Sequence, residues 1–177
     1  MLYDCSECET QGACAVETPI TLDDIQFMVR NLGISWQVFF GEKIDPLPST
    51  MTGGLKLIRD KHCVFYEPDK RCTIIELRPM HCRFTPCPKR VQTKEVITCL
   101  YLGSGTVEEQ FRHQVALDVT RQYVREYGIK YDESAVSKSL QVIDRLVEDR
   151  VALEYFCNSI APFRYVDDTL PFKNPNC

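Results

Sequence analysis

Apolar side chains in residues 20–54 recur at the spacing of a helix face. That face comprises Ile25, Met28, Val29 and Leu32. Thr21 and Asp24 resemble a capping box before it, and Gly33 after it is a natural stop, so a helix is predicted between them. Ser35 could cap a second short helix, SWQVFF, that ends at Gly41. Its aromatic side chains, Trp36, Phe39 and Phe40, are predicted to pack in the core, and an exposed docking patch is the alternative.

The most regular helical pattern lies in residues 106–157. Thr106 with Glu109 fits a capping box, and Gly128 is predicted to end this helix. Its apolar face comprises Phe111, Val115, Val119 and Tyr123. Ser134 is predicted to cap a second helix that runs to about Phe156, with a face made of Val136, Leu140, Ile143, Leu146 and Val147. The connection GIKYDE is short, so the two helices are predicted to pack antiparallel.

The segment between these helices, residues 55–105, favours short strands. LKLI, HCVFY and CTIIEL are rich in β-formers, and EPDKR supplies turn residues for a hairpin. Pro79, Pro86 and Pro88 exclude an ordinary helix interior beyond that point. The fold class predicted is α+β: an irregular cysteine-rich metal-binding centre with a short hairpin, flanked by an N-terminal helix and a C-terminal antiparallel helix pair. We expect one domain, 1–177, with a cysteine-cluster part (1–105) and a helical hairpin with a Pro-rich tail (106–177).

The cysteine content changes this picture. The chain has 177 residues, 44% of them hydrophobic, which is enough for a core without disulfides. It nevertheless contains ten cysteines. The first residues lack the basic and apolar regions of a secretory signal, and no apolar run approaches the length of a membrane span. A cytoplasmic location is expected, where clustered cysteines more often bind metals than form disulfides.

The charge distribution is uneven. Residues 59–94 carry nine Lys or Arg and four acids, a balance of +5 within a chain of net charge −4. An acidic chain argues against general nucleic-acid binding. A basic block among cysteines suits the counter-charge of thiolates, because four thiolates on a [4Fe–4S] core leave a net charge of about −2. Arg78 and Arg83 are the predicted counter-charges, and an equal possibility is that they tie the loop down through backbone carbonyls.

Eight cysteines are the candidate metal ligands: Cys5, Cys8, Cys14, Cys63, Cys72, Cys82, Cys87 and Cys99. Cys5 and Cys8 form a C-x2-C pair, which brings two thiolates to one metal from a tight turn. The last five are spaced so widely that the fold must assemble any site they form. His62 and His81 each precede a cysteine, and neighbours of a ligand in a strand usually point the other way. We therefore do not expect these imidazoles to be ligands.

Other chemistry-bearing residues have ordinary interpretations. Cys157 is predicted to be a buried apolar thiol, Cys177 a tail thiol, and His113 a solvated helix residue. The chain has no serine-hydrolase elbow, phosphate-binding loop, dinucleotide fingerprint or HExxH motif. An enzymatic activity is therefore not favoured, and we do not expect a small-molecule substrate.

Three segments together resemble the YkgJ-type cysteine-cluster family of zinc- or iron-chelating proteins, which is related to the cysteine domain of flagellin lysine N-methylases. They are the N-terminal cysteines, ITLDDIQFMVRNLGIS and HCVFYEPDKRCTIIELRPMHCRFTP, with Cys99 following. The core resembles RP-x-x-CR-[FY]-x-P. The family typically opens with C-x2-C-x2-CC, whereas this chain has C-x2-C-x5-C, and Gln11 and Gly12 stand where the cysteine pair would fall.

The metal could be an iron–sulfur cluster or zinc. Structural zinc usually uses two compact C-x2-C knuckles and this chain has one, so an iron–sulfur cluster of the 4Fe-4S type is favoured, with room for a second iron or zinc site. The function expected is a redox- or oxygen-responsive regulatory protein of an anaerobe that docks on a larger complex, which the resemblance suggests is a methyltransferase. The alternatives are an electron-transfer protein, a structural zinc adaptor and a component of a lysine methylase. Neither nucleic acid nor membrane insertion is expected.

Overall fold

The computed structural model of the protein describes residues 17–69, 71–84 and 107–160. Its helices are α1 (Leu22–Leu32), α2 (Trp36–Lys43), α3 (Met80–Phe84), α4 (Val107–Tyr127), α5 (Glu133–Val147) and α6 (Arg150–Ile160). Its strands are β1 (Pro19–Ile20), β2 (Leu55–Lys56), β3 (Tyr66–Glu67) and β4 (Arg71–Cys72), and Ile75–Leu77 forms a turn of 3₁₀ helix. The α+β class is confirmed.

The capping box predicted for α1 is present in full. Thr21 Oγ1 accepts from Asp24 N at 3.0 Å, and Asp24 Oδ2 accepts from Thr21 N at 3.0 Å. Gly33 ends the helix with a φ of 66°, a left-handed conformation that glycine adopts without a Cβ penalty. The predicted apolar face is buried at Ile25, Met28 and Val29, as is Leu22 at the helix start.

Helix α2 begins where predicted and ends later than predicted. Ser35 Oγ accepts from Val38 N at 3.2 Å, but the helix continues through Gly41 to Lys43. The prediction that Gly41 ends it is wrong, because the change of direction is made by Ile44. That residue is extended and pairs with Leu57 in an isolated β-bridge.

The described strands form two antiparallel pairs. Strand β1 pairs with β2, with Pro19 opposite Lys56. Strand β3 pairs with β4, with Tyr66 opposite Cys72, which confirms the hairpin predicted around the EPDKR turn.

The C-terminal helical region differs from the prediction at two boundaries. Helix α5 is capped by Asp132, whose Oδ1 accepts from Ala135 N at 2.8 Å, so the assignment of Ser134 as the cap is wrong. The single helix predicted up to Phe156 is in fact two, α5 and α6. Asp149 starts the second, because its Oδ1 accepts from Val151 N and Ala152 N. Gly128 ends α4 with a φ of 76°, as predicted.

One apolar cluster joins α1, α2, β2, α4 and α5. Its fully buried side chains include Phe39, Leu55 and Tyr123, and Trp36 and Phe40 also pack in it, as predicted. Leu146 was predicted to lie on the apolar face of α5, and it is 40% exposed instead. None of the helices within the described ranges combines the length and the apolar content needed to cross a membrane.

A second, smaller cluster packs α6 against α4. It consists of Phe111, Leu153 and Cys157, with Phe156 at its edge. Cys157 is buried, as predicted, but it is disulfide-bonded, so the prediction of a thiol is wrong.

Candidate metal centre

The β3–β4 hairpin holds two of the predicted ligands, Cys63 and Cys72. Cys63 lies before β3, where its carbonyl accepts from Tyr66 N at 2.9 Å, and Cys72 ends β4 opposite Tyr66. The hairpin is anchored by Phe65, which is buried and lies 6.3 Å from Phe39 between ring centroids. The two cysteines are therefore placed by a turn that the apolar core fixes.

The two thiols interact electrostatically. Burial raises the pKa of Cys63; a hydrogen bond from the backbone N–H of Phe65 opposes this, and the nearby Cys72 raises the pKa further. Both cysteines are half-buried. Two cysteines close together, one of which accepts a hydrogen bond from the backbone N–H of Phe65, form a soft donor set. Zinc and iron both bind thiolate, so this donor set suits either metal.

The RP-x-x-CR segment continues from the hairpin, and its residues position Cys82. Arg78 Nε donates to the carbonyl of Ile75 at 2.8 Å, a backbone contact of the kind that the loop-tying alternative predicts. Pro79 is fully buried, and its carbonyl accepts from Cys82 N at 2.9 Å. Met80 N donates to Asp24 Oδ1 at 2.9 Å. The side chain of Arg83 lies outside the described residues.

The three histidines occupy different environments. Burial lowers the pKa of His81, against the opposing charges of Asp24 and Glu17. Burial also lowers the pKa of His113, so the prediction that His113 is solvated is wrong. His62 stacks 4.5 Å from Tyr66, and its buried Nδ1 has no hydrogen-bond partner in the described part of the chain.

A cavity of about 260 Å³ lies beside this segment, between α1, α4 and the residues before α3. Its lining includes Asp23, Asp24, Arg78, Met80, Arg112 and His113. Arg112 crosses one wall: its Nε and Nη2 donate to the two carboxylate oxygens of Asp23 at 2.8 and 2.6 Å, and Nη2 also donates to Asp144 at 2.8 Å. This ion-pair triad joins α1, α4 and α5.

The described residues bring together part of the predicted ligand set. Cys63 and Cys72 are neighbours, and Cys82 stands on α3. Cys5, Cys8, Cys14, Cys87 and Cys99 fall outside the described residues. Within 17–69, 71–84 and 107–160, no group of three or more His, Cys, Asp or Glu side chains is arranged to hold a metal ion. The Cys63–Cys72 pair fits a metal by its chemistry and would supply half of a four-thiolate set.

A comparison with protein families accounts for this arrangement. A family model described as "CxxCxxCC: Putative zinc- or iron-chelating domain" matches residues 4–100. The chain belongs to this family. It is the YkgJ-type cysteine-cluster family, so the resemblance seen in the sequence is confirmed. No curated protein and no solved structure matches the chain. Membership supports metal binding and leaves zinc and iron as alternatives.

Sequence reasoning missed two residues of this centre. Asp24 was assigned only to the cap of α1, although its Oδ1 also accepts a hydrogen bond from Met80 N. Phe65 was part of a strand pattern, although its backbone N–H faces the Cys63 thiol. Neither contact has a signal in the sequence, because each depends on how separate segments pack.

Proposed function

We propose that the protein binds an iron–sulfur cluster of the 4Fe-4S type and acts as a regulatory partner of a larger complex. The observation that carries the proposal is the pair of neighbouring cysteines, Cys63 and Cys72, on a hairpin within a family of zinc- or iron-chelating domains. An irregular centre suits a cluster better than a compact zinc knuckle does, because only one C-x2-C pair occurs in the chain.

The basic residues among the cysteines support the iron–sulfur alternative. A cluster with four thiolates carries a net charge of about −2, and a neighbouring positive block stabilises it. Residues 59–94 supply a balance of +5. Arg78 Nε is engaged with Ile75, so its charge is held in place near the hairpin.

A regulatory role is supported by the placement of the candidate ligands on separate elements, with Cys63 and Cys72 on the hairpin and Cys82 on α3. A bound group that holds Cys63, Cys72 and Cys82 would fix the hairpin and α3 against α1. Its loss would release those contacts and change the surface beside them, which is how a redox or oxygen signal becomes a binding signal. The partner we propose is a larger enzyme complex with oxygen-sensitive chemistry in the cytoplasm of an anaerobe, with a methyltransferase as the first candidate.

Anaerobic purification followed by visible absorption and analysis for iron, zinc and sulfide tests the cluster. We expect a brown protein with a broad thiolate-to-iron charge-transfer band and about four irons and four sulfides. Colourless protein with stoichiometric zinc would overturn the iron–sulfur assignment and favour a structural adaptor.

The ligand role of the hairpin is tested by substitution. Cys72→Ser is expected to lose most of the bound metal, because serine is a poor ligand for soft metals. Cys177→Ser is the matched control, since this cysteine lies outside the residues that the family model covers. Equal metal content in the two variants, purified under reducing conditions, would remove Cys72 from the site.

A further inference from the structure

The first turn of α1 is hydrogen-bonded to both α4 and α3. Leu22 N donates to Thr120 Oγ1 of α4 at 3.0 Å, and Thr120 is only 1% exposed. Both carboxylate oxygens of Asp23 accept hydrogen bonds from Arg112 of α4. Asp24 Oδ1 accepts a hydrogen bond from Met80 N of α3 at 2.9 Å. The turn thus links the helix that carries Cys82 to the helical pair.

The two oxygens of Asp24 have separate partners. Oδ2 accepts from Thr21 N at 3.0 Å and from Thr21 Oγ1 at 2.8 Å, which completes the cap of α1. Oδ1 accepts from Met80 N, the first residue of α3. A cap requires only the first set of contacts. The second set therefore has a different consequence, namely to place the start of α3.

Helix α3 depends on such an external contact. It has five residues, too few to be stable by itself, and none of its first N–H groups has a partner within the helix. A carboxylate at that end satisfies one N–H with a charge-assisted hydrogen bond and a favourable dipole interaction. Cys82 follows two residues after Met80, so its position is set through this bond together with buried Pro79.

We propose that Asp24 is a positioning residue for the metal centre, acting on Cys82 through Met80 N. The proposal rests on the proposed function in one respect, that Cys82 is a metal ligand. Asp24 does not contact the metal in this role. It holds the ligand-bearing helix in the orientation that binding needs, and groups that orient ligands commonly change metal affinity by about 10- to 100-fold.

Three variants separate positioning from capping and from charge. Asp24→Ala removes both sets of contacts. Thr21→Ala removes the hydroxyl of the α1 cap and leaves the Met80 bond. Asp23→Asn removes one negative charge at the adjacent position and weakens the contact with Arg112. Asp24→Asn keeps one carbonyl oxygen that can accept from Met80 N.

The measurement is the rate at which anaerobically purified full-length protein loses its metal to the chelator EDTA, with circular dichroism as the check on folding. We expect Asp24→Ala to lose metal at least about tenfold faster than the wild type. Thr21→Ala and Asp23→Asn should stay within about threefold, and Asp24→Asn should recover part of the loss. If Asp24→Ala does not fold, Met80→Pro takes its place, because proline at the first position of α3 removes the N–H that donates to Asp24 and leaves the cap of α1 intact.

Two results would contradict different statements. If folded Asp24→Ala, or Met80→Pro in its place, loses metal no faster than Thr21→Ala, Asp24 only caps α1 and the inference is wrong. If the wild-type protein contains neither iron nor zinc after anaerobic purification, the proposed function fails, whatever the variants do.

Discussion

Single carboxylates link separate segments of the chain at several points in this structure. Glu17 illustrates the point: its oxygens accept from Ser49 Oγ at 2.6 Å and Thr50 Oγ1 at 3.1 Å, and Lys56 Nζ lies 3.5 Å away. Burial raises the pKa of Glu17, but these hydrogen bonds, with that from Met51 N, outweigh burial and leave the pKa below its ordinary value of 4.5. Glu17 therefore fixes the loop before β2 in its charged form.

Replacing this carboxylate should give a pH-dependent loss of stability. Because the folded pKa lies below the unfolded one, the stabilisation is fully present above about pH 4.5 and is lost as the pH falls through the folded value. We expect Glu17→Gln to lower the free energy of unfolding by about 1–2 kcal/mol at pH 7 and by less at pH 3. Urea unfolding at both values measures this, with exposed Glu154→Gln as the control. A loss that is the same at both pH values would contradict it.

At the scale of elements, the ends of the helices show what the sequence could predict. The cap of α1 and the stops at Gly33 and Gly128 were correct, because they depend on neighbours within four residues. The start of α5 was wrong, because a second polar residue two positions earlier, Asp132, caps the helix by accepting from Ala135 N. Tyr123 favours Asp132 as the cap because it fixes the loop between α4 and α5. Its hydroxyl donates to the carbonyl of Lys130 and accepts from Asp132 N.

The corrected start of α5 can be tested directly. Asp132→Ala should lower the free energy of unfolding by about 1 kcal/mol, since it removes the acceptor for Ala135 N. Ser134→Ala should have little effect or be slightly stabilising, because Ser134 lies inside the first turn, where alanine is the better helix former. Thermal or urea unfolding of both variants checks the pair. The opposite order would restore Ser134 as the cap.

At the scale of the whole molecule, the apolar core and the metal centre are adjacent but distinct. The main cluster is built from aliphatic and aromatic side chains of both halves of the chain, and Cys63 and Cys72 only pack against its edge. The elements of this core were largely predictable, because apolar periodicity is local. The assembly of the metal centre was not, since the residues that place Cys63, Cys72 and Cys82 come from α1, α2 and the hairpin.

Metal removal should therefore have a local effect. We expect the metal-free protein to keep most of its far-UV helical signal, because the core that packs α1, α4 and α5 contains no metal ligand. Hydrogen exchange should accelerate in residues 58–84 and change little in α5. Complete cooperative loss of helical signal on chelation would show that the core depends on the metal after all.

The brevity of the strands has a consequence for handling the metal-free protein. Each described strand has two residues, so each edge offers very few backbone groups on which a second chain could add a strand. Aggregation by edge-to-edge sheet growth is thereby disfavoured in this part of the chain. Association of released chains should instead proceed through thiol oxidation between molecules, and a reductant should suppress it more effectively than the sheet-disrupting substitutions used for β-rich proteins.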